Sequence, residues 1–86
     1  MYEWDEAKCE ANRAKHGVGF EVVEDFDWSS AVIGADERYD YGEVRARAFG
    51  RIAGVAHCIA FTRRGQALRI ISLRRMHEKE IRRYGI

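Results

Sequence analysis

Five arginines lie along the last predicted strand or within a few residues of its ends, and side chains of this kind bind phosphate. They are Arg63, Arg64, Arg69, Arg74 and Arg75. A guanidinium group donates two parallel hydrogen bonds to phosphate oxygens, and a β-strand fixes the direction in which it points. Arg69 stands out because it interrupts an apolar run. It either contacts a phosphate or lies on the solvent face of an edge strand, and spacing alone leaves both interpretations open.

Two further segments contain groups suited to acid–base chemistry. Lys15-His16-Gly17 ends a predicted helix, and histidine exchanges a proton near neutral pH. Cationic side chains in the last turn also simply oppose the helix dipole. Glu80 and Tyr84 are four residues apart, hence on one helix face. They could act on a 2′-hydroxyl and its phosphate, or be a solvated carboxylate and a half-buried phenol.

The chain lacks the spacing of a metal or cofactor site. Five residues could ligate a metal, namely Cys9, His16, His57, Cys58 and His77. None of their separations matches a zinc motif. His57 and Cys58 are neighbours in a predicted strand, so they point to opposite faces and one of them should be in the core. No nucleotide-binding or hydrolase motif is present, so we expect neither metal nor cofactor.

The net charge of +1 conceals an uneven distribution. Residues 1–60 contain 7 Lys/Arg against 12 Asp/Glu, a net charge of −5, while residues 61–86 contain 8 against 2, a net charge of +6. A basic end of this kind attracts a phosphate backbone, unless it only covers an exposed helix. Arg45 and Arg47 add charge to a predicted open sheet face. Tyr39 and Tyr41, in a polar turn, could stack on bases.

Length and composition favour one domain over residues 1–86. With 47% hydrophobic residues and no proline, the chain can form a single core and shows no linker. The two cysteines have no CxxC spacing, and the acidic N-terminus has no apolar leader. We therefore expect reduced thiols, a cytoplasmic location and no membrane contact.

Hydrophobic periodicity predicts an α+β fold with the element order β-α-α-β-β-β-β-α. Two N-terminal helices would pack on an antiparallel β-meander, followed by a C-terminal helix. Predicted strands cover residues 2–4, 31–35, 44–49, 55–62 and 68–73, and predicted helices cover 6–16, 20–26 and 76–84. Ala7, Ala11 and Ala14 should face the sheet, and Glu78 should pair with Arg82 across one helical turn.

Three segments of the chain, in order, form a specific pattern. The first is Tyr2-Glu3-Trp4-Asp5-Glu6-Ala7-Lys8 with Asn12, Lys15-His16-Gly17-Val18 and Phe20-Glu21. The second is Asp36 with Tyr41-Gly42-Glu43, Arg45 and Phe49-Gly50-Arg51. The third is Arg69-Ile70-Ile71-Ser72-Leu73-Arg74-Arg75 with Glu80 and Tyr84. Together these segments resemble the BrnT family.

The resemblance implies a RelE-like fold and a ribonuclease toxin that arrests translation. It also implies neutralisation by a cognate antitoxin, typically a ribbon-helix-helix dimer giving a 2:2 complex. That complex represses its own operon, with operator DNA contacted through the antitoxin. Two positions depart from the family pattern: Leu73 replaces a small residue, and His77 replaces a threonine-type cap. His77 could weaken the start of the last helix or add a titratable group beside the basic cluster.

The matching positions shift the interpretation of the candidate residues towards function. Cleavage without metal uses the 2′-hydroxyl of the RNA as nucleophile and needs a base, an acid and cations. His16 or Glu80 would be the base, with Tyr84 orienting the nucleotide or stacking on it. Arginines 69, 74 and 75 would stabilise the phosphate. The predicted RNA-binding residues are Lys15, Arg45, Arg47, Arg63 and Arg64. The alternative is a non-catalytic module of the same fold that binds RNA or protein.

Overall fold

Two α-helices and five β-strands form the computed structural model, which describes residues 1–86. Helix α1 spans Glu6–His16 and helix α2 spans Glu78–Tyr84. The strands are β1 (Tyr2–Glu3), β2 (Val32–Ala35), β3 (Ala46–Ile52), β4 (Val55–Arg64) and β5 (Ala67–Arg75). The predicted α+β class is confirmed. None of the helices is long and apolar enough to cross a membrane.

The strands form one mixed sheet in the order β1-β5-β4-β3-β2. Strands β2 to β5 form the predicted antiparallel meander. Strand β1 pairs in parallel with β5, placing Tyr2 opposite Leu68 and Glu3 opposite Arg69. The prediction of a wholly antiparallel sheet was therefore wrong at this edge. Helix α1 begins three residues after β1 and continues along the same edge of β5. Sequence patterns over a few residues did not indicate that β1 pairs with a strand so distant along the chain.

Helix α1 has the predicted bounds because both of its ends are capped. The carboxylate of Asp5 accepts a hydrogen bond from the Lys8 amide at 3.1 Å, and Gly17 ends the helix at a φ of 77°. The second predicted helix is instead a 3₁₀ helix, Phe20–Asp25, followed by a 3₁₀ turn, Trp28–Ser30. Its apolar residues recur every three positions, the period of a 3₁₀ helix.

The face of α1 that meets the sheet differs from the predicted one. Ala7, Ala11 and Ala14 are exposed, while Cys9 and Asn12 are buried. The sequence pattern favoured the alanines because they are apolar and helically spaced. The structure instead places a polar amide against the backbone of β5, where its hydrogen bonds offset the cost of burying it.

Two apolar clusters lie on opposite faces of the sheet. One packs α1 and the 3₁₀ helix on the sheet and includes Phe20, Ile59 and Leu73. The other packs α2 on Phe49 and Cys58. Of the neighbours His57 and Cys58, Cys58 lies in this second cluster, as predicted for one of the two. His57 is buried as well, and its ring lies 2.7 Å from the Val55 carbonyl.

Helix α2 covers only part of its face of the sheet. Arg47 lies on the same face as Phe49, two positions along β3, and its register partners across the sheet are Ala60 and then Ser72. We call the part of this face that α2 leaves uncovered, around Arg47, Ala60 and Ser72, the open sheet face. At the far edge, β2 is exposed along its whole length, including the apolar side chains of Val32 and Ile33.

Candidate active site

An ion pair between β5 and α2 forms the centre of the candidate site. The two terminal nitrogens of Arg74 donate to the two carboxylate oxygens of Glu80 at 2.8 and 2.9 Å. Glu80 also accepts a hydrogen bond from the His77 backbone amide at 2.9 Å. This bond caps α2, which therefore begins at Glu78 without a threonine at position 77. The predicted Glu78–Arg82 pair is absent. The ion pair that α2 forms joins Glu80 to Arg74 of β5.

These contacts make Glu80 a poor general base. The guanidinium of Arg74 lowers the pKa of Glu80 to about 2, and the His77 amide contributes to the shift. A carboxylate with such a pKa is ionised at neutral pH and has little tendency to accept a proton. The geometry therefore suits Glu80 to hold Arg74 in place, because a bidentate pair fixes both the position and the plane of the guanidinium.

His16 has the properties of a proton acceptor. It is the last residue of α1 and is only partly exposed. Burial lowers the pKa of its imidazole below the usual value, and the positive charges of Lys15, Arg74 and His77 lower it further. The shift favours the neutral ring, which is the form that accepts a proton. The hydrogen bonds from Asn12 of α1 to Leu73 of β5 place the ends of these two elements at one corner.

Asn12 joins these two elements. Its Nδ2 donates to the carbonyls of Leu73 and Val18, each at 2.7 Å, and its Oδ1 accepts from the Leu73 amide at 3.2 Å. The side-chain amide thus occupies the edge of β5 as a neighbouring strand would. Asn12 lies one turn before His16, and Leu73 immediately precedes Arg74. Sequence reasoning missed this residue, although its place in the first motif segment and its helical spacing from Cys9 were available signals.

A cleft of about 230 Å³ runs between α1 and β5 next to this corner. Lys15, predicted to bind RNA, lines it together with His16. The other lining residues are Lys8, Ala11, Asn12, Ile71 and Ser72. A larger cleft of about 310 Å³ lies at the other end of the sheet, between Glu43–Ala46 and Phe61–Arg63. The smaller cleft is the candidate site for chemistry because His16 and Lys15 both line it.

Arg69 and Arg75 lie outside the corner. Arg69 forms an ion pair with Glu3 of β1 at 2.8 Å. Its Cα is five residues from that of Arg74, roughly 16 Å along an extended strand. Arg75 is exposed and opposes His57, so it points to the sheet face opposite that of Arg74. The structure therefore brings Arg74 and Glu80 into contact near the end of α1 that carries His16, but not the other two predicted catalytic arginines.

Three of the predicted RNA-binding arginines, Arg45, Arg63 and Arg64, lie near the larger cleft. Arg45 pairs with Glu43 at 2.9 Å and covers the Tyr41 ring at 4.1 Å. Arg64 approaches the same carboxylate at 3.6 Å. Arg63 is exposed and points to the opposite face from Arg64. One carboxylate thus offsets two of these three cations.

Tyr84 completes the α2 side of the site. Its ring stacks on Phe49 with centroids 4.0 Å apart and planes at 15°, and it lies one turn after Glu80 on the same helix. The stacked pair forms an aromatic wall between α2 and the open sheet face, with Tyr84 only partly exposed.

A comparison with known families decides the affiliation of the chain. The model of the family described as "Ribonuclease toxin, BrnT, of type II toxin-antitoxin system" matches residues 4–80. The chain belongs to the BrnT family. Membership in BrnT makes it the ribonuclease toxin of a type II system, whose partner is a cognate antitoxin. The match includes His16, Arg74 and Glu80 and ends before Tyr84. No curated protein matches the chain.

Proposed function

We propose that this BrnT-family chain is a metal-independent endoribonuclease whose active site is centred on His16 and Arg74. One observation carries the proposal: the His16 imidazole and a guanidinium held by a carboxylate lie at the corner where Asn12 joins the end of α1 to the end of β5. Acid–base transfer and stabilisation of phosphate charge are the two tasks that RNA cleavage through the 2′-hydroxyl requires.

In the proposed reaction the 2′-oxygen attacks the adjacent phosphorus while His16 accepts the 2′-hydroxyl proton. The bond from phosphorus to the 5′-oxygen breaks, and a proton from solvent completes the departing 5′-hydroxyl. The products are a 2′,3′-cyclic phosphate and a free 5′-hydroxyl end. Arg74 donates to the phosphate oxygens as negative charge develops on them. Glu80 acts as a positioning residue, since it touches Arg74 and not the substrate.

The remaining candidates act on the substrate around this centre. Tyr84 orients the scissile nucleotide from the aromatic wall, and Lys15 binds the backbone along the cleft. Arg69 and Arg75 contact RNA away from the scissile bond. The other predicted RNA-binding arginines, Arg45, Arg47, Arg63 and Arg64, would act in the same way. Phosphate contacts of this kind set the position of the RNA rather than its sequence.

Antitoxin control follows from the family as a further part of the proposal. RNA cleavage would arrest translation, and a ribbon-helix-helix antitoxin dimer would neutralise the toxin in a 2:2 complex. Operator DNA would be contacted through the antitoxin. Both cysteines are free and buried, which suits a reducing cytoplasm.

The proposal is tested by incubating the purified full chain with bulk RNA, with and without a chelator. We expect cleavage that the chelator does not change and products with 2′,3′-cyclic phosphate ends. His16→Gln and Arg74→Gln should each lower the rate by roughly 10²–10³-fold, as loss of a transition-state contact does.

The matched control is Arg82→Gln, which removes an exposed cation of α2 and should leave the rate unchanged. Binding of RNA without cleavage would support the non-catalytic alternative. Loss of activity on chelation, or full activity of His16→Gln, would overturn the mechanism.

A further inference from the structure

Arg47 carries a buried donor that no group in the protein satisfies. Its Nε is buried and has no hydrogen-bond partner. Other arginines of this face are satisfied: Arg69 and Arg74 pair with carboxylates, and Arg51 donates to the Gly54 carbonyl at 2.7 Å. Leaving a charged donor buried and unpaired is costly, so native proteins rarely leave one without an acceptor from the protein, from water or from a ligand.

The position of Arg47 relates it directly to Arg74. Arg47 of β3 lies opposite Ala60 of β4, which in turn lies opposite Ser72 of β5. Arg74 of β5 lies opposite Cys58 of β4, two residues along from this row. The two arginines are therefore two strands and two residues apart, with Cα atoms roughly 12 Å from each other. Small side chains form the floor between them, so both guanidinium groups can reach a ligand lying across the sheet.

Some of the arginines on this part of the open sheet face are paired with carboxylates and one is not. Arg38, Arg47 and Arg74 all lie close enough to affect the Cys58 thiol, whose pKa is raised by burial. Arg38 is paired with Asp36 through two hydrogen bonds of 2.8 Å, and Arg74 is paired with Glu80. Arg47 has no carboxylate partner, and its guanidinium lies 5.2 Å from the Phe49 ring centroid. Of these three arginines, Arg47 is therefore the one without an anionic partner.

We infer that Arg47 forms a second phosphate subsite, which binds a phosphodiester neighbouring the one held at Arg74. The subsite rests on the proposed function, because it assumes that the ligand is a single RNA strand. An RNA crossing from the cleft of α1 onto the open sheet face would place consecutive phosphates at Arg74 and Arg47. Because Nε is covered in the free protein, the partly exposed Arg47 side chain would turn outward on binding, so that Nε–H and a terminal nitrogen donate to phosphate oxygens.

The test uses the full chain and a 2′-O-methylated RNA oligonucleotide, which the proposed chemistry cannot cleave. We expect Arg47→Gln to weaken binding roughly tenfold and to reduce the slope of log K against log salt by about 0.7, the loss of one phosphate contact on a single strand. Arg51→Gln is the matched control on the same strand and face, and it should change neither quantity. Arg47→Lys should retain the slope but lose affinity, because the charge remains while Nε–H and the fork are lost.

A direct readout is the arginine Nε–H region of the NMR spectrum of ¹⁵N-labelled protein. The Arg47 resonance, identified by its disappearance in Arg47→Gln, should shift when the oligonucleotide is added, and the Arg51 resonance should not. An unmoved Arg47 resonance, or equal salt slopes for the two glutamine variants, would overturn the subsite. Either result with cleavage intact refutes the subsite alone. Binding at Arg47 without any cleavage would refute the proposed enzymatic function alone.

Discussion

His16 combines a proton-accepting ring with a markedly positive neighbourhood. The ring is partly buried, and three cations or partial cations around it, Lys15, Arg74 and His77, oppose its protonation. The same cations would attract a phosphate to the imidazole, so the charges that keep the ring neutral also draw the substrate to it. The role proposed for His16 therefore depends on its burial and on the charges around it as well as on its being a histidine.

Replacing Lys15 with glutamine should raise the pKa of His16, because one of the charges that opposes protonation is removed. If unprotonated His16 is the base, the acidic limb of the kcat/KM profile then moves to higher pH. Steady-state cleavage measured from pH 4 to 9 checks this. Lys8→Gln, on the same helix and lining the same cleft, is the control and should leave the limb in place. Equal shifts in both variants would mean that His16 does not govern the profile.

The connection between α1 and β5 depends on one side chain. Asn12 makes three hydrogen bonds in a buried setting, two of them to the backbone of Leu73. No other strand occupies that stretch of the β5 edge, because β1 pairs only at Leu68 and Arg69. The amide therefore determines where the last turn of α1, and with it His16, lies relative to Arg74.

Asn12→Ala should lower the free energy of unfolding by about 2–4 kcal/mol, since it breaks three hydrogen bonds and leaves backbone groups of Leu73 unpaired. Urea denaturation at pH 7 is the measurement. Glu10→Ala removes an exposed side chain of the same helix and should cost under about 0.5 kcal/mol. A loss for Asn12→Ala no larger than that of Glu10→Ala would contradict this role.

Sequence patterns predicted the elements of this protein better than their contacts. Helix α1 and the meander were predictable because caps, turns and alternation are local signals. The buried face of α1 was not, because it depends on Asn12 reaching Leu73, 61 residues away. For the same reason the motifs indicated Arg74, Glu80 and Arg69 as candidates but not that Glu80 holds Arg74 while Glu3 holds Arg69.

For the molecule as a whole, folding reduces the separation of charge that the sequence displays. Cations of the basic C-terminal segment pair with carboxylates of the acidic part: Arg69 with Glu3 and Arg64 with Glu43. The polarity predicted from the linear sequence is therefore partly cancelled in the folded chain. Arg47 and Lys15 are among the cations that have no carboxylate partner, and both lie where the proposed substrate would bind.

Acid should destabilise the whole fold. Glu80 has a folded-state pKa of about 2 against an ordinary value of 4.5, and the pKa values of Asp36 and Glu43 are also lowered by their arginine partners. A depressed pKa contributes stability above the unfolded value that is lost as pH falls through the folded value. The lowered pKa of His16 adds a loss that begins below its ordinary value of 6.5. Thermal melts should therefore show Tm constant above about pH 7 and falling towards pH 2, less steeply below about pH 5 in Glu80→Gln. A Tm that is unchanged or rises on acidification would contradict this.

The parallel pairing of β1 with β5 has a consequence for biosynthesis. Residues 2 and 3 have no pairing partner until residues 68 and 69 have been translated. Contacts so distant in sequence form late. The proposed centre has the same requirement, since His16 is made early while Arg74 and its Glu80 partner come more than fifty residues later. A nascent chain that has not reached position 80 therefore lacks the assembled centre. If the proposed centre is correct, RNA cleavage begins only once the chain has been translated past Glu80.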